Sequence, residues 1–163
     1  MLRDLPSQLA STRCIVISLM FTLAAMIALH IVPAIWLFSP IDFVSNAEMV
    51  RSQVEAMTRQ QRMVHAWMTV TLDVIYPLAY GPLFAGLAFR YLGRAGPFIA
   101  LFAGIAVLAD LAEGFTQVVI LHGGFYMLPL KAILTPLKWG TVSVAILGGL
   151  FAIGIAAKRR FVR

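Results

Sequence analysis

Four apolar stretches, each long enough to cross a lipid bilayer and bounded by charged residues, constrain this chain more than any other feature. A hydrocarbon core of about 30 Å takes roughly 20 helical residues, a length met by the stretches near about 14–38, 64–89, 97–121 and 131–157. Each span has to be helical, because a lone segment in lipid has neither water nor a neighbouring strand to satisfy its backbone N–H and C=O groups. Continuous apolar runs also exclude a β-barrel, whose strands alternate in polarity. The expected fold class is therefore all-α, an integral membrane four-helix bundle formed by residues 1–163 as a single membrane domain. Composition agrees, with 61% hydrophobic and only 12% charged residues, where soluble domains carry about 25% charged.

The first span has an apolar region about twice as long as that of a signal peptide and no convincing small-x-small cleavage site, so it is expected to be retained. Basic residues set the orientation. Arg3, Arg13, Arg90, Arg94, Lys158, Arg159, Arg160 and Arg163 fall on one side, against Arg51, Arg59, Arg62 and Lys131 on the other. The richer side is expected to face the cytoplasm, with both termini there. The same asymmetry accounts for most of the +6 net charge, so the basicity points to anionic headgroups of the lipid bilayer and not to nucleic acid. The single cysteine, Cys14, excludes an internal disulfide and cysteine-pair redox chemistry.

Between the first two spans, Phe43, Ala47, Val50, Val54 and Met57 recur at spacings of three and four, with charged residues on the other faces. That periodicity predicts an amphipathic interfacial helix over about 45–60, opened by a capping box of Ser45 and Glu48. It can serve either as a connector resting on headgroups or as a lid over an outward-facing cavity. Small residues suggest where helices approach closely and leave room for a homo-oligomer or a larger membrane complex: Ala79, Gly81, Ala85, Gly86, Ala100, Ala103, Gly104, Gly140, Gly148 and Gly149. Met49, Met57, Met63 and Met68 with His65 are soft donors at irregular spacing, so no metal site is expected from them, and no cofactor motif is present.

The chemistry concentrates in one layer. At about 1.5 Å per residue, His30, Asp73, Glu113 and Lys138 lie roughly 11–13 Å from the outer ends of four different helices. Asp110 shares a face with Glu113, being three residues away, and Tyr76, Tyr80, Gln117 and Trp139 flank the layer. An ionised group in hydrocarbon costs about 2.5–3.5 kcal/mol even on lenient scales, so these groups should face inward and pair. Three carboxylates and one ammonium cannot neutralise one another, and the remainder must take a proton, a cation or water. Pro33, Pro77 and Pro136 each free a carbonyl near the layer, a device by which membrane helices open cavities.

The strings LDVIYPLAYGPLF from Leu72, DLAEGFTQ from Asp110 and TPLKWG from Thr135 resemble a pattern found in small bacterial membrane proteins of four spans. The resemblance covers about the last 100 residues and implies a four-helix fold with Asp73, Asp110, Glu113 and Lys138 as one constellation. It implies no activity. Gly114 stands where the pattern usually has Asn, so an amide partner for Glu113 is missing.

Three functional readings follow. The first is a protein that binds or translocates a small amphiphile, a cation or a proton at Asp73, Asp110, Glu113, Lys138, His30, Tyr76, Tyr80 and Gln117. The second is an accessory or assembly subunit of a larger membrane complex, with structural ion pairs. The third is an intramembrane acid–base or metal-dependent enzyme, the weakest because no motif such as H-E-x-x-H appears.

Overall fold

The computed structural model describes residues 4–161. It contains six helices: α1 (Leu5–Leu9), α2 (Thr12–Trp36), α3 (Ala47–Ala56), α4 (Arg59–Tyr91), α5 (Gly96–Leu121) and α6 (Leu128–Phe161). Short 3-10 turns interrupt the connections at Ile41–Phe43, Gly93–Ala95 and Phe125–Met127. No strand occurs among the described residues, and four helices, α2, α4, α5 and α6, are long and apolar enough to cross a membrane.

The boundaries differ from the sequence expectation where caps intervene. The interfacial helix is capped by Asn46, whose side-chain oxygen accepts from the backbone N–H groups of Glu48 and Met49 at 3.0 Å each, not by Ser45. A longer correction affects the second span. It starts at Arg59 rather than near 64, because Thr58 and Gln61 form a reciprocal capping box that satisfies two end donors. The Gln61 amide also donates to the carbonyls of Trp36 and Leu37, at 3.1 and 2.9 Å, and so ties the end of α2 to the start of α4. Pro33, Pro77, Pro82 and Pro136 all lie inside helices that run on past them, each proline costing the one backbone hydrogen bond that its missing N–H would have made.

Packing is not symmetric among the four long helices. α4 is central, touching α2, α5 and α6, whereas α2 rests chiefly on α4 and exposes most of its side chains. The core is therefore a three-helix unit of α4, α5 and α6 with α2 and α1 laid against one side. At one end, Arg90 on the last turn of α4 donates to Thr12 Oγ1 at 2.7 Å, which fixes the start of α2 beside the α4–α5 connection. Arg3 and Arg163 lie outside the described residues. At the opposite end, residues 38–57 fold back over the helices. Phe38, Ile41, Val50, Val54 and Met57 join Ala66, Met68, Ile120, Leu121 and Leu128 in one apolar cluster. The amphipathic segment is thus a lid on the helix ends, with Val50 and Val54 fully buried, and not a free connector.

On α6 the buried positions Lys131, Thr135, Lys138, Val142, Ala145, Gly149 and Ala152 alternate at four and three residues. That stripe is polar near the lid and small and apolar beyond it. The small residues let helices touch in part as expected: a Cβ on Gly81 would meet Val107, on Gly148 Ile99, and on Gly149 Phe84. Gly104 and Gly140 instead face open space. Gly86 differs in kind, since a Cβ there would collide with the Leu9 carbonyl oxygen, which is backbone and cannot swing aside.

Two substitutions separate these cases. Gly86→Ala should lower stability by about 1–3 kcal/mol through overpacking against backbone. Gly104→Ala should be neutral or raise it by up to about 1 kcal/mol, from helix propensity in open space. Denaturant unfolding of both variants in detergent checks the pair; equal effects would contradict the packing described for α1.

Candidate functional site

Glu113, fully buried on α5, sits between two lysines of α6. Its Oε1 accepts from Lys131 Nζ at 2.7 Å and from the Thr135 hydroxyl, and its Oε2 meets Lys138 Nζ. Lys131, Thr135 and Lys138 share one face because they lie four and three residues apart. From Lys138 the network continues to Asp110 Oδ1 at 3.3 Å, and the second Asp110 oxygen accepts from the Tyr80 hydroxyl at 3.0 Å. Tyr76 packs edge-to-face on Tyr80, with ring centroids 5.1 Å apart. Three helices thus supply one connected chain of charge: Lys131, Glu113, Lys138, Asp110 and Tyr80.

A second set of polar groups adjoins it on the lid side. The 3-10 turn carries Asp42 into the helix ends, where Asp42 Oδ1 accepts from the Gln117 amide at 3.1 Å and Oδ2 lies 3.7 Å from His65 Nε2. The turn is held from both sides. Trp139 stacks on Phe43, with centroids 5.2 Å apart, and its indole N–H reaches the Asp42 carbonyl at 3.4 Å. Phe38 stacks on His65 at 5.0 Å. His65, Thr69 and Asp73 descend α4 at four-residue intervals, so they form a polar row on one face. Asp73 interacts electrostatically with Asp42, Asp110 and Lys138, which links the row to the lysine network.

Several buried atoms in this row have only loose partners: Asp42 Oδ2 and His65 Nε2 face each other at 3.7 Å, and Thr69 lies beside the Asp73 carboxyl, while Gln117 Oε1 and His65 Nδ1 make no hydrogen bond. Buried polar atoms cost free energy unless partnered.

The structure brings Asp73, Asp110, Glu113, Lys138, Tyr76, Tyr80 and Gln117 together on α4, α5 and α6. It sets His30 apart. That residue is exposed on α2, its ring Nδ1 2.8 Å from the Met26 carbonyl oxygen, because α2 turns this face away from α4. The soft-donor set also diverges, Met49 and Met63 pointing outward while Met57 and Met68 are buried. Sequence reasoning missed three members. Lys131 was assigned to the outer surface, yet it is 1% exposed and paired; its i, i+4, i+7 spacing with Thr135 and Lys138 was the available signal. His65, which the sequence offers only as a soft donor beside the methionines, is fully buried next to Asp42, and its four-residue spacing to Thr69 and Asp73 is the corresponding signal. Asp42 carried no signal, because a loop carboxylate is solvated by default.

Electrostatics at the turn are well defined. Burial pushes the Asp42 carboxyl up, but the His65 ring, the Lys138 ammonium and the Gln117 amide together overcome burial and hold it well below the usual carboxylate range. Counting the layer as a whole, the carboxyls of Asp42, Asp73, Asp110 and Glu113 face the ammonium groups of Lys131 and Lys138. Were all four ionised, negative charge would exceed positive, so one or more of them needs a proton, a cation or water to be accommodated.

Comparison with known protein families, with curated proteins and with solved structures gave no match. The geometry of the layer therefore carries the functional reading.

Two measurements test the site. Lys131→Met should destabilise the protein by about 3–5 kcal/mol, because it leaves a buried carboxylate with half its compensation. Adding Glu113→Gln should recover part of that loss, and a double variant no more stable than the single one would refute the pairing. The second concerns acid. A carboxyl whose pKa is depressed on folding contributes stability in full above its ordinary pKa of about 3.9, and that contribution is lost as pH falls below it. Asp42→Asn should therefore lower stability at neutral pH and flatten the acid side of the stability profile, read as melting temperature against pH.

Proposed function

We propose that this protein binds, and passes between the membrane interior and the outer face, a proton or small cation at the buried carboxylate–lysine layer. The observation that carries this reading is the surplus of buried carboxyl groups over ammonium groups. Four carboxyl groups share two ammonium groups inside a membrane-spanning helical unit, and an unpaired charge there costs several kcal/mol. The cheapest remedy is a positive species that enters and leaves. An apolar or amphiphilic ligand would leave that imbalance untouched, so the deficit favours small positive charge over the amphiphile.

Orientation supports uptake from outside. With Lys131 neutralised by Glu113, the basic residues at the lid end reduce to Arg51, Arg59 and Arg62, against Arg13, Arg90, Arg94, Lys158 and Arg159 at the other end within the described residues. The positive-inside rule then puts both termini in the cytoplasm and the lid on the outer face of a bacterial inner membrane. The row of His65, Thr69 and Asp73 leads from the lid toward Asp110, and groups of this type serve as proton relays in membrane proteins.

The test is flux. Wild-type protein in liposomes holding a trapped pH-sensitive dye should dissipate an imposed pH gradient several-fold faster than protein-free vesicles. Asp73→Asn should return the rate to the protein-free level while the protein stays folded, since it removes surplus and not paired charge. Equal rates for wild type and Asp73→Asn would reject the role given to this row.

A further inference from the structure

We infer that a groove between α3 and the start of α6 binds the headgroup of a membrane phospholipid bearing a primary amine, with its phosphate on Arg51 and its ammonium at Glu48 and Glu55. The site is separate from the buried carboxylate–lysine layer and does not depend on the role of that layer.

Charges that are spaced to pair within α3 do not pair. Glu48 lies three residues before Arg51 and Glu55 four after it, spacings at which ion pairs commonly close along one helix. Among the described residues, however, no ion pair joins the Arg51 guanidinium to either carboxylate. The guanidinium instead reaches across to Phe125, 4.9 Å from the ring centroid, just before α6 begins. One cation and two anions, all exposed, therefore line a cavity of about 500 Å³ whose other walls are Ala47, Ser52 and Leu128. That volume falls within the range of about 300–1,000 Å³ usual for small-ligand sites. Val50 and Val54, fully buried, fix the roll of α3 and with it the face that borders the cavity.

A ligand that satisfies this set has to carry both signs. Arginine presents paired N–H donors that match a phosphate, and a primary ammonium has three donors, enough for two carboxylates at once. Exposed ion pairs are individually weak, so recognition needs both ends of the ligand together. A plain anion would meet the two glutamates, and a plain cation the arginine. An aminoethyl phosphate headgroup carries the two charges side by side, whereas a choline headgroup has no N–H to donate. Location sets the source. Val50 and Val54 of α3 pack with Ala66 of α4, Ile120 and Leu121 of α5 and Leu128 of α6, at the ends of three membrane-length helices. In a protein of four spans, that is the level of the lipid headgroups.

The experiment is a thermal-shift titration of the full chain in detergent with phosphatidylethanolamine, phosphatidylcholine or phosphatidylglycerol of identical acyl chains. Phosphatidylethanolamine should give a saturable rise in melting temperature, with a half-saturating mole fraction about fivefold below those of the other two. Arg51→Gln should raise that value about fivefold, through loss of the phosphate contact. Glu48→Gln combined with Glu55→Gln should erase the preference for the amine over choline. All three side chains are exposed, so the variants should melt like wild type when no lipid is added. Lipid retained by the intact protein in native mass spectrometry gives the same comparison without reference to stability. Equal half-saturation for the three lipids overturns the site, as does an unchanged titration in Arg51→Gln or a preference that survives in the double variant. Glycerophosphoethanolamine, the same headgroup without acyl chains, should leave the melting temperature unmoved at matched concentration; a full response to it overturns a bilayer lipid as the occupant.

Discussion

The contact on which the rest of this structure depends is the clasp of Glu113 between Lys131 and Lys138. Burying any one of these charges alone would be prohibitive in hydrocarbon. Placed together, they oblige α5 and α6 to meet in a single register, since sliding either helix by one turn would strand a carboxylate or an ammonium. Once that register is set, Asp110 falls beside Lys138 and Tyr80 beside Asp110. α4 is thereby drawn into the same alignment. Apolar packing, which in lipid gains little from mere burial, could not by itself choose among such registers.

Polarity then divides the three-helix unit along its length. Toward the lid the inward faces carry lysine, threonine, glutamate, glutamine and histidine. Toward the basic end they carry alanine, glycine and valine, as in the run Val142, Ala145, Gly149 and Ala152 of α6. Small side chains bring the backbones together and leave the basic end tight. Near the lid, long side chains fill the space between the helices with ion pairs and hydrogen bonds instead.

Much of the fold was legible in the sequence because lipid imposes few choices: an apolar run of sufficient length must be a helix. The layer was legible in part for a similar reason, as Asp73, Asp110, Glu113 and Lys138 are conspicuous in apolar surroundings. What escaped was everything set by tertiary folding. Lys131 lies near a helix end, where a lysine is ordinarily solvated. Asp42 lies in a loop, and only the folding-back of residues 38–57 brings it to Gln117. His30 failed in the opposite sense. Its depth matched the layer, but depth fixes position along an axis and says nothing of rotation about it. Since α2 leans on a single neighbour, one face of it alone is inward, and His30 is on another.

The Gln61 side chain bears on how the lid can behave. By holding the Trp36 and Leu37 carbonyls and the Thr58 N–H at once, one amide fastens the two feet of the excursion between α2 and α4 to each other. The intervening chain is therefore a closed ring, with its loop-closure entropy spent at the neck. Such a ring cannot loosen by letting its ends drift apart. With Ile41, Val50 and Val54 buried against the helices, the ring is pinned at its neck and along its inner face alike, so Asp42 keeps its place beside Gln117 as long as both hold.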